Sequence, residues 1–347
     1  MGKKVLDFRP KKQEHSASSS SVITEERKNS FYYSVYDYLE KEMEEVEEEL
    51  KKIVEKSPQA FKCLLSELLF LKGERMTAIL FLLCSRLLNT SFQKSDPLKA
   101  ASLDALYLGL HSQIYLNGIV EGRMKEDLDW KDNNKYEQVG RYVIGCSFSR
   151  VGGYPEFIRG MTEIVCRNVE ASFLSDLNNL PLPFDAMSCR KKYLNKVSYQ
   201  VASPMALSCA LSGWTKGVET SKVELMAYFG HYVGLASQIK IDYQNFIKVI
   251  KELPLNEKSR KITNTLPVIN LLEVSPFREK LLSSLANEFW SKKEQMLWQQ
   301  EIKRVESMAF IKSLVNRNCQ QALQSIDSFP ASRAKSLLVE LVNSCCF

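Results

Sequence analysis

The sequence predicts an all-α protein, and three observations point the same way. Glycine (14 residues) and proline (11 residues) are scarce over 347 positions, whereas sheets and their turns use both. No segment of any length alternates apolar and polar residues as a half-buried strand does, and many segments place apolar residues at helical spacing. Hydrophobic residues make up 45% of the chain and charged residues 25%, which is enough for a sizeable core.

Residues 1–28 are polar, contain the run SASSSS, and are expected to be disordered. Residues 29–347 are expected to form one domain. Its first helix is the stretch YSVYDYLEKEMEEVEEELKKIVEKS, with acids on one face and apolar residues on the other. We expect an amphipathic outer helix rather than a free-standing coiled coil, because heptads persist for barely three repeats. The apolar positions are Val35, Tyr38, Leu39, Met43, Val46, Leu50 and Val54.

Prolines, glycines and charged loops divide the rest of the chain into further helices. Pro58 precedes an apolar helix pair that runs to about residue 88, and the stretch GGYP at 152–155 separates two later helices. The helices predicted after the apolar pair span about 98–121, 136–149, 155–177, 189–214, 221–253 and 266 onward, with two short helices meeting at Pro330. Residues 122–135 and 178–185 are predicted loops.

Composition argues against several classes of function. The net charge of +6 is spread out, and no block of Lys and Arg is interleaved with aromatics, so nothing supports nucleic-acid binding. No apolar stretch reaches the roughly 18 to 20 residues that span a bilayer, so we expect no integral membrane segment. The nine cysteines form no CxxC pair, which favours reduced core residues of a cytoplasmic protein. The pair Cys345–Cys346 could be redox-sensitive, although an unordered tail is the plainer interpretation.

Several segments, in chain order, match the motifs of one family. LKGERMTAILFLLCSRLL is similar to GGKRxRPxLxLLA, and LYLGLHSQIYLNGIVEG to ExxHxxSLxHDDxxD. Further on, YLNKVSYQVASPMALSCALSGW is similar to YxxKxxxKTxxLxxxxxxLGA, and GHYVGLASQIKIDYQNF to GxxxGxxFQIxDDxxD. KITNTLPVINLL matches a basic stretch followed by TLPxIxxL, and CQQALQSIDSFPASRAKSLLVELV matches AxxxLxxLPxSxAxxxLxxLA. From about residue 50 to its end, the chain thus resembles the trans-isoprenyl diphosphate synthases, or polyprenyl synthetases.

This resemblance implies an isoprenoid synthase-type helical bundle around a deep central cavity. In the family, Mg²⁺ ions on two aspartate-rich motifs hold the allylic diphosphate, and basic residues opposite bind isopentenyl diphosphate. The diphosphate ionises, the isopentenyl double bond attacks, and a proton is lost. Aspartates at i, i+1 and i+4 place at least two carboxylates on one helix face within reach of the same ions.

Both aspartate-rich motifs are degenerate in this chain. The first falls on Gly118, Ile119, Val120, Glu121 and Gly122, or with a shift of one residue on the facing pair Asn117 and Glu121. The second falls on Ile241, Asp242, Tyr243, Gln244 and Asn245. Each motif therefore keeps one carboxylate. By contrast, Gly230, Gly234 and Gln238 stand at four-residue intervals, which predicts that this face of their helix packs closely against a neighbour.

The basic side of the site is also altered. Glu74, Thr77 and Gln200 occupy positions where the family has basic residues. Arg75 and His111 match family positions and could still bind diphosphate. For Arg75 the alternative is an ion pair with Glu74 or Glu67, and for His111 an interior hydrogen bond. For Asp242 the alternative to a remnant metal ligand is a solvated or lysine-paired acid.

The preserved frame and altered rim favour a non-catalytic, structural or regulatory subunit of a heteromeric prenyl diphosphate synthase. Its partner would be a catalytic homologue, or the chain would pair with itself as a homodimer. The helix at 98–121 would contribute to the dimer surface, although its apolar positions suit a core equally well (Leu103, Leu106, Leu110 and Ile114). This hypothesis expects no catalytic residue and no metal.

Two alternatives stay open. One is an active, diverged prenyltransferase, transferring alkyl groups other than methyl, or a terpene-type enzyme that uses Mg²⁺ at a different ion site. The only local acid cluster for such a site is DLDWKDNN, although a solvated charged loop is the plainer interpretation. The other is a non-catalytic protein that holds an isoprenoid chain or another lipid in the cavity.

Overall fold

The computed structural model of the protein describes residues 31–70, 75–112, 133–175, 183–251, 264–285, 287, 290–304 and 307–347. Their regular structure is helical, and no strand occurs among them, so the predicted all-α fold is confirmed. Residues 31–38 are helical. They are followed by α1 (Glu40–Glu55), α2 (Gln59–Phe70), α3 (Met76–Leu87), α4 (Asp96–Leu110), α5 (Asn133–Arg150), α6 (Pro155–Ser175), α7 (Ala186–Val197), α8 (Ser203–Trp214), α9 (Thr220–Lys251), α10 (Leu266–Val274), α11 (Arg278–Leu285), α12 (Lys292–Arg304), α13 (Ser307–Asp327) and α14 (Arg333–Cys345).

Several helix boundaries follow from the local sequence. The Asp185 carboxylate caps α7, because it accepts hydrogen bonds of 3.2 Å from the backbone N–H groups of Met187 and Ser188. Ser332 caps α14 in the same way, with its Oγ accepting a hydrogen bond of 3.1 Å from the N–H of Lys335. Pro97 lies in the first turn of α4, where a missing N–H group costs nothing.

Helix α9 carries the second aspartate-rich motif and packs against α8 and α13. The contact with α8 depends on the two predicted glycines. A Cβ atom at Gly230 would lie 2.5 Å from the carbonyl oxygen of Met205, and one at Gly234 would lie 2.6 Å from the Cα of Ala202. Both distances are far below a normal contact, so the prediction that this face packs closely is confirmed.

Helix α1 is an outer helix that packs against α2 and α4, as expected. The helical residues from 31 to 55 bury Val35, Leu39 and further apolar positions of the predicted stripe. Two acids of this helix, Glu42 and Glu47, are buried as well, although the sequence places the acids on the solvent face. They are buried because Arg86 pairs with Glu42 and Arg75 with Glu47.

Helix α4 lies within the bundle, where it packs against α1, α3 and α5. Leu103 and Leu106 are 2% and 1% exposed. They therefore belong to the core, which was one of the two alternatives for these positions, and a contribution of the helix at 98–121 to a dimer surface stays a prediction. The contact with α5 is close because a Cβ atom at Gly140 would lie 2.6 Å from the carbonyl oxygen of Gly109. Leu110 is partly buried against the same core, and Ile114 lies outside the described residues.

All nine cysteines are free thiols, in agreement with the lack of CxxC pairs. Cys63 and Cys166 are exposed, whereas Cys345 is buried and Cys346 is half-buried. The expectation of an unordered tail at 345–346 is therefore wrong, because this segment packs on α9 and α13. None of the helices described here is long and apolar enough to cross a membrane.

Candidate functional site

The second aspartate-rich motif presents one carboxylate on α9. Asp242 is flanked in the motif by Ile241 and Asn245, whose side chains are exposed. The hydroxyl of Tyr193 donates a hydrogen bond of 2.7 Å to Oδ2 of Asp242, and Nε2 of Gln238 donates one of 2.8 Å to Oδ1. Both carboxylate oxygens are therefore engaged by uncharged donors of the same chain.

The protonation of this pair follows from its burial. Burial raises the pKa of the Asp242 carboxyl above its ordinary value, and the hydrogen bonds from Tyr193 and Gln238 and the charge of Lys196 act in the opposite direction. Burial and the neighbouring Asp242 raise the pKa of the Tyr193 phenol well above its usual range, so this phenol keeps the proton that it donates. The environment thus differs from the solvated or lysine-paired acid expected from the sequence, because α7 brings a tyrosine hydroxyl to the carboxylate.

A π-helical turn, Ser198–Ala202, separates α7 from α8, where the sequence predicts one continuous helix over 189–214. Pro204 lacks an N–H group in the first turn of α8, and Ser203 Oγ donates a hydrogen bond of 2.9 Å to the carbonyl oxygen of Ser198. The turn contains Gln200 and lies against Gly234 of α9. It therefore sets the position of Tyr193 on α7 relative to α9.

Arg75 is 3% exposed and enclosed by carboxylates. It precedes α3 with φ of 52°, a left-handed conformation that is uncommon for arginine. Its Nε and Nη2 atoms donate to the two carboxylate oxygens of Glu47 at 2.6 and 3.0 Å, a bidentate pair. Its Nη1 atom donates to Oδ2 of Asp104 at 3.2 Å. The expected partner Glu67 makes no ion pair with it, and Glu74 lies outside the described residues.

The positive charge of Arg75 is offset by acids of the same chain. Burial would lower the pKa of Arg75, but Asp104 and Glu47 raise it above its ordinary value. Burial raises the pKa of Asp104, opposed by Arg75 and by the Thr77 hydroxyl, which donates a hydrogen bond of 2.9 Å to Oδ1 of Asp104. Burial and Glu47 also raise the pKa of Tyr36 to about 12. With two carboxylates around one guanidinium, this arrangement does not support Arg75 as a residual diphosphate ligand.

His111 lies buried at the end of α4. Its Nδ1 atom is 2.8 Å from the carbonyl oxygen of Tyr107, and its ring centroid is 4.4 Å from that of the Tyr107 ring. Burial lowers the pKa of the imidazole, and hydrogen bonds with the backbone of Tyr107 and Gln200 act in the opposite direction. These contacts support the interpretation as an interior hydrogen-bonded histidine. A neutral, buried imidazole is poorly suited to bind a diphosphate.

The donor set at the second motif does not fit Mg²⁺. This ion requires near-octahedral oxygen ligands and is usually held through carboxylates together with substrate phosphates. Asp242 is the one carboxylate of the motif, and its oxygens already accept hydrogen bonds from Tyr193 and Gln238. In the part of the chain that the structure describes, no three His, Cys, Asp or Glu side chains are grouped so that they could hold a metal.

The first motif lies outside the described residues, at 113–132, and with it the acid cluster DLDWKDNN up to residue 132. What the sequence implies for its positions stays a prediction. These positions are Asn117, Gly118, Ile119, Glu121 and Gly122.

Sequence reasoning missed three residues of the site, Tyr193 and the two acids Glu47 and Asp104. Both acids carry a detectable signal. Asp104 is the only acid in the apolar run AASLDALYLGL, and a charge inside such a run requires a buried partner. The signal for Glu47 is its place directly after Val46, at the edge of the apolar stripe of α1. The other acids of this helix are predicted to face solvent.

Comparisons with known proteins agree with this architecture. No protein-family model matches the chain. The chain is 24% identical over 319 residues to heptaprenyl diphosphate synthase component 2 of Geobacillus stearothermophilus, covering 89% of this chain and 96% of that protein. A decaprenyl diphosphate synthase from Rhodobacter capsulatus superposes with a TM-score of 0.76 at 15% identity, covering 90% of this chain and 98% of that chain. A polyprenyl synthase from Caulobacter crescentus CB15, solved with calcium and isoprenyl diphosphate, superposes with a TM-score of 0.75 at 15% identity over 90% and 97% of the two chains.

The structural likeness concerns the fold, and the sequence likeness extends over almost the whole of the Geobacillus protein. Both agree with the motif order read from the sequence and with the close packing of α9 against α8. The chain is therefore similar in sequence to a heptaprenyl diphosphate synthase component and similar in fold to polyprenyl synthases.

Proposed function

We propose that this chain is a non-catalytic, structural or regulatory subunit of a heteromeric prenyl diphosphate synthase. The observation that carries the proposal is the state of Asp242. It is the single carboxylate of the second motif, and Tyr193 and Gln238 occupy both of its oxygens. A carboxylate that is satisfied inside its own chain is a poor ligand for the metal ions that hold an allylic diphosphate.

The basic side of the site supports the same conclusion. Arg75 matches the arginine of the family's GGKRxRP motif, yet Glu47 and Asp104 neutralise it in a buried cluster. Releasing it to a diphosphate would leave two buried carboxylates without their cation, which is strongly unfavourable. Loss of one charge-stabilising group typically lowers a rate by about 10²-fold, so the combined losses should reduce prenyl transfer by roughly 10⁴-fold or more.

The name of the Geobacillus relative supports a heteromeric assembly. That protein is called component 2 of a heptaprenyl diphosphate synthase, which implies at least one further component. By analogy, we propose a catalytic prenyl diphosphate synthase homologue as the partner of this chain. We further propose that residues 29–347 form one domain and that the protein is cytoplasmic, which its nine free thiols support.

The test compares the purified chain alone, an intact homologue from the same organism, and the two co-expressed. Each sample receives isopentenyl diphosphate, an allylic diphosphate and Mg²⁺, and the products are separated by chain length. We expect no product from this chain alone, co-elution with the homologue, and a change in the yield or length of the homologue's product. Turnover by this chain alone at a rate near that of the homologue would overturn the proposal. Prenyl chains extracted from the purified protein without any partner would instead favour isoprenoid binding.

A further inference from the structure

Three thiols gather where α13 meets the end of α14. Cys319 lies on α13, Cys345 is the last residue of α14, and Cys346 follows it. The Sγ atoms of Cys319 and Cys346 lie 3.7 and 3.4 Å from one common atom, the carbonyl oxygen of Val342. They therefore point into the same space although 27 positions separate them in the sequence.

A lysine of the motif helix holds this segment in place. Nζ of Lys240 on α9 donates hydrogen bonds to the carbonyl oxygens of Ser344 at 3.1 Å and Cys346 at 2.5 Å. The Phe347 ring packs edge-on against Tyr243, with ring centroids 5.0 Å apart. The segment after α14 is therefore docked on the part of α9 that carries the second aspartate-rich motif.

The surroundings of the two thiols differ in a way that assigns them separate roles. Cys319 is 2% exposed, whereas Cys346 is half-buried. Burial raises the pKa of the Cys319 thiol, and the ammonium of Lys240 acts in the opposite direction. A small oxidant in solution can thus react first with Cys346. Cys319, beside it, is then the second thiol, which completes the disulfide.

We propose that Cys346 and Cys319 form a thiol–disulfide exchange site for a low-molecular-weight disulfide such as oxidised glutathione. The Cys346 thiolate attacks one glutathione sulfur, which breaks the S–S bond, forms a mixed disulfide and releases one glutathione thiolate. Cys319 then attacks the Cys346 sulfur, forms the intramolecular disulfide and releases the second glutathione. Two protein thiols are oxidised, one glutathione disulfide is reduced, and the two protons pass to the two glutathione thiolates.

The local backbone permits this bond. Cys346 lies just past the helix in an extended conformation, with φ of −68° and ψ of 161°. Rotation of its side chain can therefore bring two sulfurs that both donate to the Val342 carbonyl oxygen to the roughly 2.05 Å of a disulfide. The bond would fasten the 344–347 segment to α13 and, through Lys240, to the motif helix.

A second pair of thiols in the chain serves as an internal comparison. Burial and the neighbouring Cys84 raise the pKa of the Cys209 thiol well above its usual range, so these two thiols are also close, but both residues are 0% exposed. If thiol contact alone were sufficient, both pairs would oxidise. If access to the oxidant is also required, only Cys319 and Cys346 will react.

The experiment incubates the full chain with oxidised glutathione, quenches it with acid, blocks free thiols with N-ethylmaleimide, and maps disulfides by mass spectrometry. We expect a Cys319–Cys346 linkage that dithiothreitol reverses, with Cys84 and Cys209 remaining reduced. The variant Cys346→Ser should lose the linkage, and the matched variant Cys345→Ser should keep it. In the wild-type chain, amide hydrogen exchange of residues 343–347 should slow at least tenfold on oxidation.

Three results would overturn the proposal. They are glutathione adducts confined to the exposed Cys63 and Cys166, a linkage of Cys319 to Cys345, and a Cys319–Cys346 linkage that leaves exchange of the 343–347 segment unchanged. The wild-type map alone is decisive if a variant fails to fold. Because the exchange requires no prenyl transfer, its outcome is independent of the proposed function.

Discussion

Asp242 shows how one side chain can keep its place in a motif while its chemistry changes. Its position matches an aspartate of the family pattern, but Tyr193 and Gln238 take up its oxygens. Burial makes the ionised form of Asp242 less stable, and the pKa of its carboxyl is raised for this reason. In a metal site, bound cations would offset this cost and lower the pKa of the carboxyl. Here uncharged donors and the nearby Lys196 oppose it only in part.

The first prediction concerns the variant Asp242→Asn. An acid with a raised pKa in the folded state stabilises the fold only while it is protonated, so its contribution falls as pH rises from about 4 through the raised value. The amide stays neutral throughout, accepts from Tyr193, and donates to Gln238 once that amide turns over. We therefore expect equal stabilities of variant and wild type near pH 4, and a variant that is more stable than the wild type at pH 7.5. Urea unfolding at the two pH values measures the difference.

The matched control for this prediction is Glu170→Gln, which removes an exposed acid on α6. Its stability difference from wild type should change little between the two pH values. If Asp242→Asn were equally destabilising at pH 4 and pH 7.5, the pKa of the Asp242 carboxyl would be the same in the folded and the unfolded protein. The interpretation that burial raises this pKa would then be wrong.

Arg75 illustrates a second point at the residue scale. The arginine of the family motif is present, but its guanidinium forms ion pairs with Glu47 and Asp104. A buried ion pair of this kind is weak evidence for stability, since desolvation offsets much of the attraction. Unlike an arginine that binds a ligand, Arg75 is already paired, because Glu47 on α1 and Asp104 on α4 hold its guanidinium.

At the scale of helices, the approach of α9 to α8 is the feature that the structure requires most strictly. A Cβ atom at Gly230 would lie 2.5 Å from the carbonyl oxygen of Met205, which is backbone and cannot rotate away. The gain in helix propensity from glycine to alanine is about 1 kcal/mol. The strain of overpacking typically costs 1 to 3 kcal/mol, so the clash should outweigh the gain.

The second prediction is that Gly230→Ala lowers the free energy of unfolding by about 1 to 2 kcal/mol. The control is Gly145→Ala on α5, where a Cβ atom would meet nothing within 4 Å. That variant should be neutral or more stable by up to about 1 kcal/mol, because only helix propensity changes. Chemical unfolding of both variants distinguishes the two effects. A stabilised Gly230→Ala would show that the two helices can separate without cost.

The contrast between α9 and the α7–α8 pair shows what helix patterns can predict. The sequence predicts a helix over 221–253, and α9 spans Thr220–Lys251, because its apolar and glycine spacing is continuous. The helix predicted over 189–214 is instead interrupted by the π turn at Ser198–Ala202. Pro204 is a local signal for the interruption, but the turn also lies against Gly234 of another helix, a contact that no local pattern records.

At the scale of the whole molecule, the sequence predicts which carboxylates the site lacks. It does not predict which partners the remaining charged residues have. The missing carboxylates at Ile241 and Asn245 follow from residue identity in a recognised motif. The partners of Arg75 do not, because Glu47 and Asp104 are 28 and 29 residues away in the sequence. The same holds for Lys240, which is bound by carbonyl groups more than 100 residues later. Such contacts arise only when distant helices assemble.

The third prediction tests whether the proposed loss of prenyl transfer has its cause in the second motif alone or in several parts of the site. The double variant Ile241→Asp, Asn245→Asp adds two carboxylates at i and i+4 on an exposed face of α9, next to Asp242 at i+1. We expect it to bind Mn²⁺, used as a spectroscopic substitute for Mg²⁺, at least tenfold more tightly than the wild type. The variant Ile241→Asn, Asn245 unchanged, is the uncharged control and should bind no better than wild type. Electron paramagnetic resonance of free Mn²⁺ measures all three.

Prenyl transfer should nevertheless stay absent in the double variant. Arg75 is still held by Glu47 and Asp104, Gln200 and Thr77 still lack charge, and the first motif still has one carboxylate. Groups that act on one transition state are not additive, so restoring one motif among several deficits recovers little rate. Tight Mn²⁺ binding together with turnover would place the whole deficit in α9. Equal Mn²⁺ binding by the wild type and the double variant would instead refute the conclusion that the donor set around Asp242 is unfit for a divalent ion.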